Sequence, residues 1–440
     1  GGLPLELPDD VFWTDSVSRP RRFELWRWRP ELRLQMRSPR LWNVLLFGLV
    51  SWLFVAVNLW LWWGPQERAS NGALNLFWAW WWPLILLGYP LVGRLWCSFC
   101  PFMVWGEIAQ GIAKRLGWQP RSWPRGEHDD WASPLLAIGF GLILLWEELA
   151  HLENTAWLSS CLLLLITAGA VLGSLIFEKR FWCRYLCPIG GMNGLFAKLS
   201  ILELRAHAGT CSGSCSSYAC FKGGPADGEG LATAGCPLGT HPAHLTDNRN
   251  CVLCLTCVQA CPHRSVQLSL RPPAADLRLP LSVPRGEPLL ILILFGGLVL
   301  HWGRPALEGL PMAQQLLLAS LELAMPALVA LGLRRWLGVE LWRQGLYGLL
   351  PLLLGLLLAR HLPVGMGEAG QLLPVSLGAS WPGWSADPHV VAFCQSAAVL
   401  AGALCSWWLL RRLLSNEPNS LWIATGLSAS VGCLGRWLVG

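Results

Sequence analysis

Nine apolar runs constrain this chain more than anything else in it: residues 41–63, 74–96, 131–150, 156–177, 288–302, 311–333, 345–360, 390–410 and 421–439. Crossing roughly 30 Å of hydrocarbon takes about 20 apolar residues. A backbone without water must satisfy its own hydrogen bonds, as a helix does. The pattern therefore predicts a mainly α, polytopic membrane helical bundle of about nine spans. Charged residues are 14% of the chain, against about 25% in soluble domains, which excludes a soluble enzyme. The 29 Trp suit a chain with many membrane–water interfaces. The chain opens Gly1-Gly2 and forty residues precede the first apolar run, a pattern unlike a cleavable signal peptide.

The basic residues orient the bundle. With the N-terminal segment inside, the inside segments hold 29 of the 33 Lys and Arg, and only Arg68, Arg304, Arg360 and Arg436 fall outside. Basic loops are retained on the cytoplasmic side, so the N-terminus is expected inside and the C-terminus outside. Glu147, Glu148 and Glu153 fall in an outside loop with no basic residue, which agrees. The charge comes in short clusters instead of one basic domain, so nucleic acid is not an expected partner, and membrane lipid is. The N-terminal segment interleaves Trp and Arg over residues 23–29. It reads equally as an interfacial anchor or as an irregular basic flank.

Four regions follow: a basic cytoplasmic N-tail (1–40), a four-helix membrane domain (41–204), a small cytoplasmic domain (205–285), and a second membrane domain of about five helices (286–440). The small domain is rich in Gly, Pro and Ser and carries eight of the 16 cysteines. A core this small is thin, and metal clusters commonly organise such domains instead.

Cys251, Cys254, Cys257 and Cys261, followed by Pro262, give C-x2-C-x2-C-x3-C-P. Three closely spaced thiolates can wrap one cubane while the fourth points to a second cluster. Zinc sites pair their cysteines across longer loops, and disulfides are disfavoured in a reducing compartment. Cys211, Cys215, Cys220 and Cys236, the last followed by Pro237, supply a looser second quartet. By the cross-ligation rule of two-cluster ferredoxins, one 4Fe-4S cluster takes Cys236, Cys251, Cys254 and Cys257. The other takes Cys211, Cys215, Cys220 and Cys261. The alternative is that the Gly-rich insertion 221–235 has abolished one cluster.

A repeat marks the first membrane half. Arg94-Leu95-Trp96-Cys97 leads to Cys100-Pro101, and Arg180-Phe181-Trp182-Cys183 leads to Cys187-Pro188. The thiols of Cys97, Cys100, Cys183 and Cys187 could ligate a further metal or iron–sulfur centre, cycle between dithiol and disulfide, or merely pack at helix ends. Neighbouring Arg94, Arg180 and Arg184 would favour the thiolate. Cys161, Cys394, Cys405 and Cys433 sit singly in apolar runs and read as small buried hydrophobes.

Glu322 is the only acid deep in a span of the second half. It is a candidate proton acceptor beside a quinone, or a neutral structural carboxyl. His151, His301, His361 and His389 fall at outside ends of spans. His207, His241, His244 and His263 lie among the cluster cysteines as surface groups or groups behind the ligands. Nucleotide and acyl-transfer signatures do not stand out.

Residues 41–271 resemble the NapH/NosR-type membrane polyferredoxins, through Cys97 to Pro101, Cys183 to Pro188 and the eight ferredoxin cysteines. The resemblance implies a bacterial cytoplasmic-membrane protein that passes electrons between the quinone pool and a redox protein partner through two 4Fe-4S clusters, as an electron-transfer component or quinol/quinone oxidoreductase. It leaves open a redox-sensing regulatory or metalloenzyme-maturation role for the same clusters. Three departures stand out: CxxCP in the first hairpin where the family usually has CxxxCP, a stretched first ferredoxin motif, and the absence of the flavin-binding domain of the NosR branch. Residues 288–440 match no family by their motifs.

Overall fold

A computed structural model describes residues 12–13, 22–122, 128–278 and 284–439. Seven helices are long and apolar enough to cross a membrane: Leu41–Trp63, Asp129–Leu149, Ala156–Ile176, Glu287–Leu307, Met312–Leu337, Leu350–Leu377 and Pro388–Leu413. The run expected at 74–96 is instead a broken element. Gly72–Val92 and Leu95–Arg115 meet at 99°, making eight candidates if the pair is one span. The break falls at Gly93, whose φ of +57° is left-handed and cheap only for glycine. The last expected run forms the helix Ser420–Leu438, whose Gly and Ser leave it out of the apolar set.

The chain forms two compact units. The first comprises Gly1–Val55, Gly88–Glu127 and Leu165–Ser282, and the second Ala56–Leu87, His128–Leu164 and Val283–Gly440.

The first unit holds a four-stranded antiparallel sheet. β1 is Phe12–Trp13, β2 Arg22–Glu24, β3 Leu202–Ala206 and β4 Val266–Leu270, in the order β1-β2-β4-β3. β3 and β4 pair from Leu202↔Leu270 to Ala206↔Val266. They bracket the small domain in sequence. β2 joins through Phe23↔Leu270 and Glu24↔Ser269, and Trp26 is 2% exposed in a core with Leu204, Val258 and Leu268. The start of the Trp/Arg segment is therefore ordered and not an irregular flank. Its main chain completes a sheet, and its Trp26 fills a protein core. Behind the sheet lies a buried polar network. Arg271 bonds Glu203 (3.1 Å) and Asp276 (2.9 Å), Asp276 accepts from the Asn248 N–H (2.8 Å), and the Asn248 side chain accepts from Arg205 (3.0 Å).

The second unit is helical. Glu147 and Glu148, expected in an outside loop, occupy the last turn of Asp129–Leu149 and are buried. Arg360 bonds both, at 2.8 Å to Glu147. His301 (2.9 Å) and Arg304 (3.3 Å) also reach Glu148, and Arg304 reaches Glu153 (3.1 Å). Buried carboxylates persist when paired in this way.

Candidate functional site

Each C-P motif is a helix start. Cys100 and Cys187 are the N-cap residues of Pro101–Arg115 and Pro188–Ala197. Proline suits the first helical position because its missing N–H would have had no partner there. The cap places each sulfur at the positive end of a helix, where a thiolate is favoured. The Cys187 Sγ accepts from the Gly190 N–H at 3.3 Å.

The two hairpins converge in the first unit. Cys97, Cys183 and Cys187 all lie within electrostatic reach of Cys100. The Asn193 amide donates to the Cys97 Sγ at 3.0 Å and accepts from the Tyr89 hydroxyl. Arg94 donates to the Cys183 carbonyl (3.2 Å), and Arg180 to the Cys97 carbonyl (3.0 Å) while pairing with Glu107 (2.7 Å). Burial, then Cys187, pushes the Cys183 thiol up against the pull of Arg180; burial also pushes Cys187 up to about 11.

The eight remaining ligand candidates separate into two cavities. One, of about 370 Å3 counting its open mouth, is lined by Cys236, Cys251, Cys254 and Cys257. The other, of about 320 Å3 on the same measure, is lined by Cys211, Cys215, Cys220 and Cys261. These are the two sets that cross-ligation requires. The insertion after Phe221 does not merge them, because Gly224 pairs with Thr233 and Asp227 with Gly230 in a closed turn. That turn returns the chain to Cys236.

The donor set fits a wide group. A single zinc bound at about 2.3 Å to each sulfur would draw the thiolates to within roughly 4 Å of one another. Among the described residues no three His, Cys, Asp or Glu are gathered to hold one metal ion. Each quartet lines one cavity instead, and four thiolates around one cavity are the donor set of an iron–sulfur cubane. Burial pushes Cys251 up to about 11 and Cys220 up to about 12, with neighbouring thiols adding to both. Bound iron would hold the thiolates. Polar contacts to sulfur are already in place: the Thr240 N–H donates to Cys236 (3.4 Å), and the hydroxyls of Ser265 and Thr256 lie within hydrogen-bond distance of Cys211 (3.3 Å) and Cys254 (3.4 Å). His241 lies 3.7 Å from the Cys220 Sγ, and His207 pairs with Glu24 at 2.8 Å.

The thiol groups are contiguous. Cys97, Leu238 and Val252 form one buried apolar cluster, against which Cys183, Cys236 and Cys254 pack. Sequence reasoning missed Asn193, Leu238 and Val252, which carry no ligand chemistry of their own and become relevant only through packing.

Glu322 lies in the second unit, its carboxylate against Gly303, and its Oε2 has no hydrogen-bond partner among the described residues. His361 accepts from the Trp82 indole (2.8 Å). Cys405 and Cys433 are exposed, and Cys161 and Cys394 only half-buried, so these four do not pack inside the protein as expected.

The 4Fe-4S binding domain family matches residues 74–119 and 161–204, the two hairpins that carry the C-P motifs. Protein NirI of Paracoccus denitrificans is 27% identical over 255 residues, 50% of this chain and 35% of that protein. YccM of Escherichia coli, whose name describes electron transport, is 32% identical over 115 residues, 26% of this chain and 28% of that protein. The methylamine utilization ferredoxin-type protein MauN of Paracoccus denitrificans is 28% identical over 167 residues, 36% of this chain and 55% of that protein. The chain thus spans about a third of the length of the first two relatives. No solved structure matches it. With hairpin motifs, cluster cysteines and membrane-length helices in this order, the chain is similar to the NapH/NosR-like membrane polyferredoxins, a likeness that the partial matches to iron–sulfur and electron-transport proteins support.

Proposed function

We propose that this chain relays single electrons between quinone in a bacterial cytoplasmic membrane and a redox protein partner. The observation behind this reading is contiguity: hairpin thiols and one ferredoxin quartet share the apolar cluster around Leu238 and Val252. One 4Fe-4S cluster in each quartet would supply one-electron chemistry. Cys236, Cys251, Cys254 and Cys257 hold the first, and Cys211, Cys215, Cys220 and Cys261 the second. Leu238 and Val252 exclude water between the first quartet and Cys97. The hairpin thiols hold a further metal or iron–sulfur centre, a role supported by the fall of the 4Fe-4S family match on these two hairpins. Asn193 and the Gly190 N–H aim donors at its sulfurs.

The domain at 205–285 faces the cytoplasm in this reading, supported by the 29 basic residues counted on that side. Anaerobic purification with iron analysis and low-temperature EPR tests the cofactors: two clusters bring about eight irons, and a hairpin centre adds to that. Fewer than four irons after reconstitution would sink the relay. Deleting the protein should stop a respiratory electron flux with other enzymes fully metallated. Loss of one enzyme's metal centre instead would favour the maturation role. Glu322 is offered for proton exchange on the strength of its partnerless Oε2. A Glu322→Gln protein with unchanged proton release and electron flux would end that role.

A further inference from the structure

A cleft of the first unit, about 1140 Å3 counting its open mouth, is larger than either quartet cavity and distinct from both. Cys254 lines both this cleft and the cavity of the first quartet. The cleft therefore opens directly onto one ligand of that quartet.

Its walls come from two kinds of structure. Trp42 and Phe47 belong to the first turns of the span Leu41–Trp63, and Ser174 lies near the end of Ala156–Ile176. The opposite wall, with Thr256 and Gln259, belongs to the ferredoxin fold. The cleft thus sits where two spans end. That is the depth at which a lipid-soluble quinone carries its polar head, and at which indoles settle. Trp42 and Phe47 give the cleft an aromatic wall for a ring, and the rest of its lining is mostly polar, with Glu107, Glu178, Lys114, Lys179 and Lys222 to meet a polar head.

Glu107 gives this cleft a reactive group. Its carboxylate lines the cleft and is fixed by the Arg180 Nε at 2.7 Å, while its side chain is still 40% exposed. Arg180 is itself 3% exposed and lies within electrostatic reach of both Cys254 and Cys183. One guanidinium therefore holds a solvent-accessible proton acceptor beside a proposed cluster ligand.

We infer that this cleft is the hydroquinone site, with Glu107 as the group that accepts the substrate's protons. The inference rests on the relay proposed above and adds its location. Oxidation of a hydroquinone to the quinone releases two electrons and two protons. Each hydroxyl proton passes to the Glu107 carboxylate in turn and leaves through the open mouth to water. Cys254 lies on the side by which the two electrons leave, and two oxidised 4Fe-4S clusters held by the quartets would take one each. A recessed cleft admits a ring more readily than the broad face of a soluble donor protein, which favours the small molecule over a protein donor.

The test fills the cleft from its rim. Ala234 lines it and is exposed, so Ala234→Trp leaves the fold and the quartets in place. An unchanged cluster absorbance confirms that. Binding of a short-chain naphthoquinone to the detergent-purified protein should weaken at least tenfold in Ala234→Trp. An azido-naphthoquinone should label peptides containing Phe47 or Gln110 in the wild type. Glu107→Gln should bind the same quinone within about threefold, with KM for the hydroquinone little changed and kcat down by about 100-fold or more, the scale of a lost general base. If Ala234→Trp binds quinone normally while hydroquinone still reduces the wild type, the site is elsewhere and the relay stands. If the wild type neither binds quinone nor is reduced by hydroquinone, the relay itself falls. If Ala234→Trp keeps quinone binding and loses only reduction by a soluble reduced ferredoxin, the cleft is a protein-docking face and the inference is overturned.

Discussion

Asn193 donates its side-chain amide to the Cys97 Sγ at 3.0 Å, and the same amide carbonyl receives the Tyr89 hydroxyl. Both residues are buried. Asn193→Leu removes a donor from Cys97 and an acceptor from Tyr89. Leaving such groups unsatisfied costs roughly 1–3 kcal/mol each. Hydrogen bonds to a ligand sulfur raise the potential of an iron–sulfur centre by stabilising its more negative reduced form. Asn193→Leu should therefore lower the potential of a hairpin centre and leave the ferredoxin clusters unmoved in a redox titration followed by EPR. An equal shift in all centres would show a global effect instead.

The two cavities fix which cysteines act together. Cys261→Ser should lose the same EPR signal as Cys211→Ser, although Cys261 is sequence neighbour to the other quartet. Cys236→Ser should lose the signal that Cys257→Ser loses. Each variant should retain about half the cluster iron, since two clusters of four irons are expected. If Cys261→Ser and Cys257→Ser erase one and the same signal, the partition is wrong.

Arg360 holds Glu147 at 2.8 Å and also bonds Glu148, all three buried in the second unit. Arg360→Leu strands Glu147 and leaves Glu148 only His301 and Arg304, and breaking a buried pair typically costs about 3–5 kcal/mol. Adding Glu147→Gln and Glu148→Gln to Arg360→Leu should recover much of the loss. Thermal unfolding in detergent checks the order wild type, triple, single. A single variant as stable as the wild type would remove the network from the stability of this unit.

Burial alone would raise the Asp276 carboxyl, but Arg271 and Arg205 and the Asn248 N–H together hold it below its ordinary range. A carboxyl depressed by folding contributes stability above its unfolded value of about 3.9, and that contribution is lost as the pH falls through the lower folded value. The contribution of Asp276 should be complete at neutral pH and decline only below about pH 4. Asp276→Asn should cost at most about 3–5 kcal/mol at pH 7 by leaving Arg271 buried with Glu203 as its one remaining carboxylate, and should lose less on acidification. Limited proteolysis of the cluster domain against pH reads both effects.

Iron removal should act locally. Chelation after oxidation takes away the group around which residues 205–278 are organised, so this segment should become protease-sensitive. The helices of the second unit carry no quartet and should stay protected. Protection of both units would mean that the sheet and its polar network suffice for the fold.

Ligand chemistry was legible because it is local. Cys251, Cys254, Cys257 and Cys261 lie within eleven residues, and the following Pro marks the odd ligand. The positions of most spans were legible because an apolar run needs no partner to be recognised. What depended on distant partners was not. Glu147 looks like a loop acid until Arg360, 213 residues on, is placed against it. Arg22–Glu24 is too short to show alternation and becomes a strand only beside β4. The run 74–96 is continuous in hydropathy, and a single left-handed glycine at Gly93 breaks it. Asn193 reads as an ordinary helix residue, and its meaning lies wholly in the sulfur it meets.

The pairing of β2 with β4 joins Glu24 to Ser269, across a chain that is made in order from its N-terminal end. The early strand emerges first and must wait until every ligand cysteine has been synthesised before its neighbour exists. The sheet thus closes only on a chain that has already delivered its first membrane helices and all eight quartet thiols. Closure of the sheet becomes a late assembly checkpoint, and an N-terminal truncation that removes Arg22–Glu24 should be read as a fault in assembly before it is read as a fault in electron transfer.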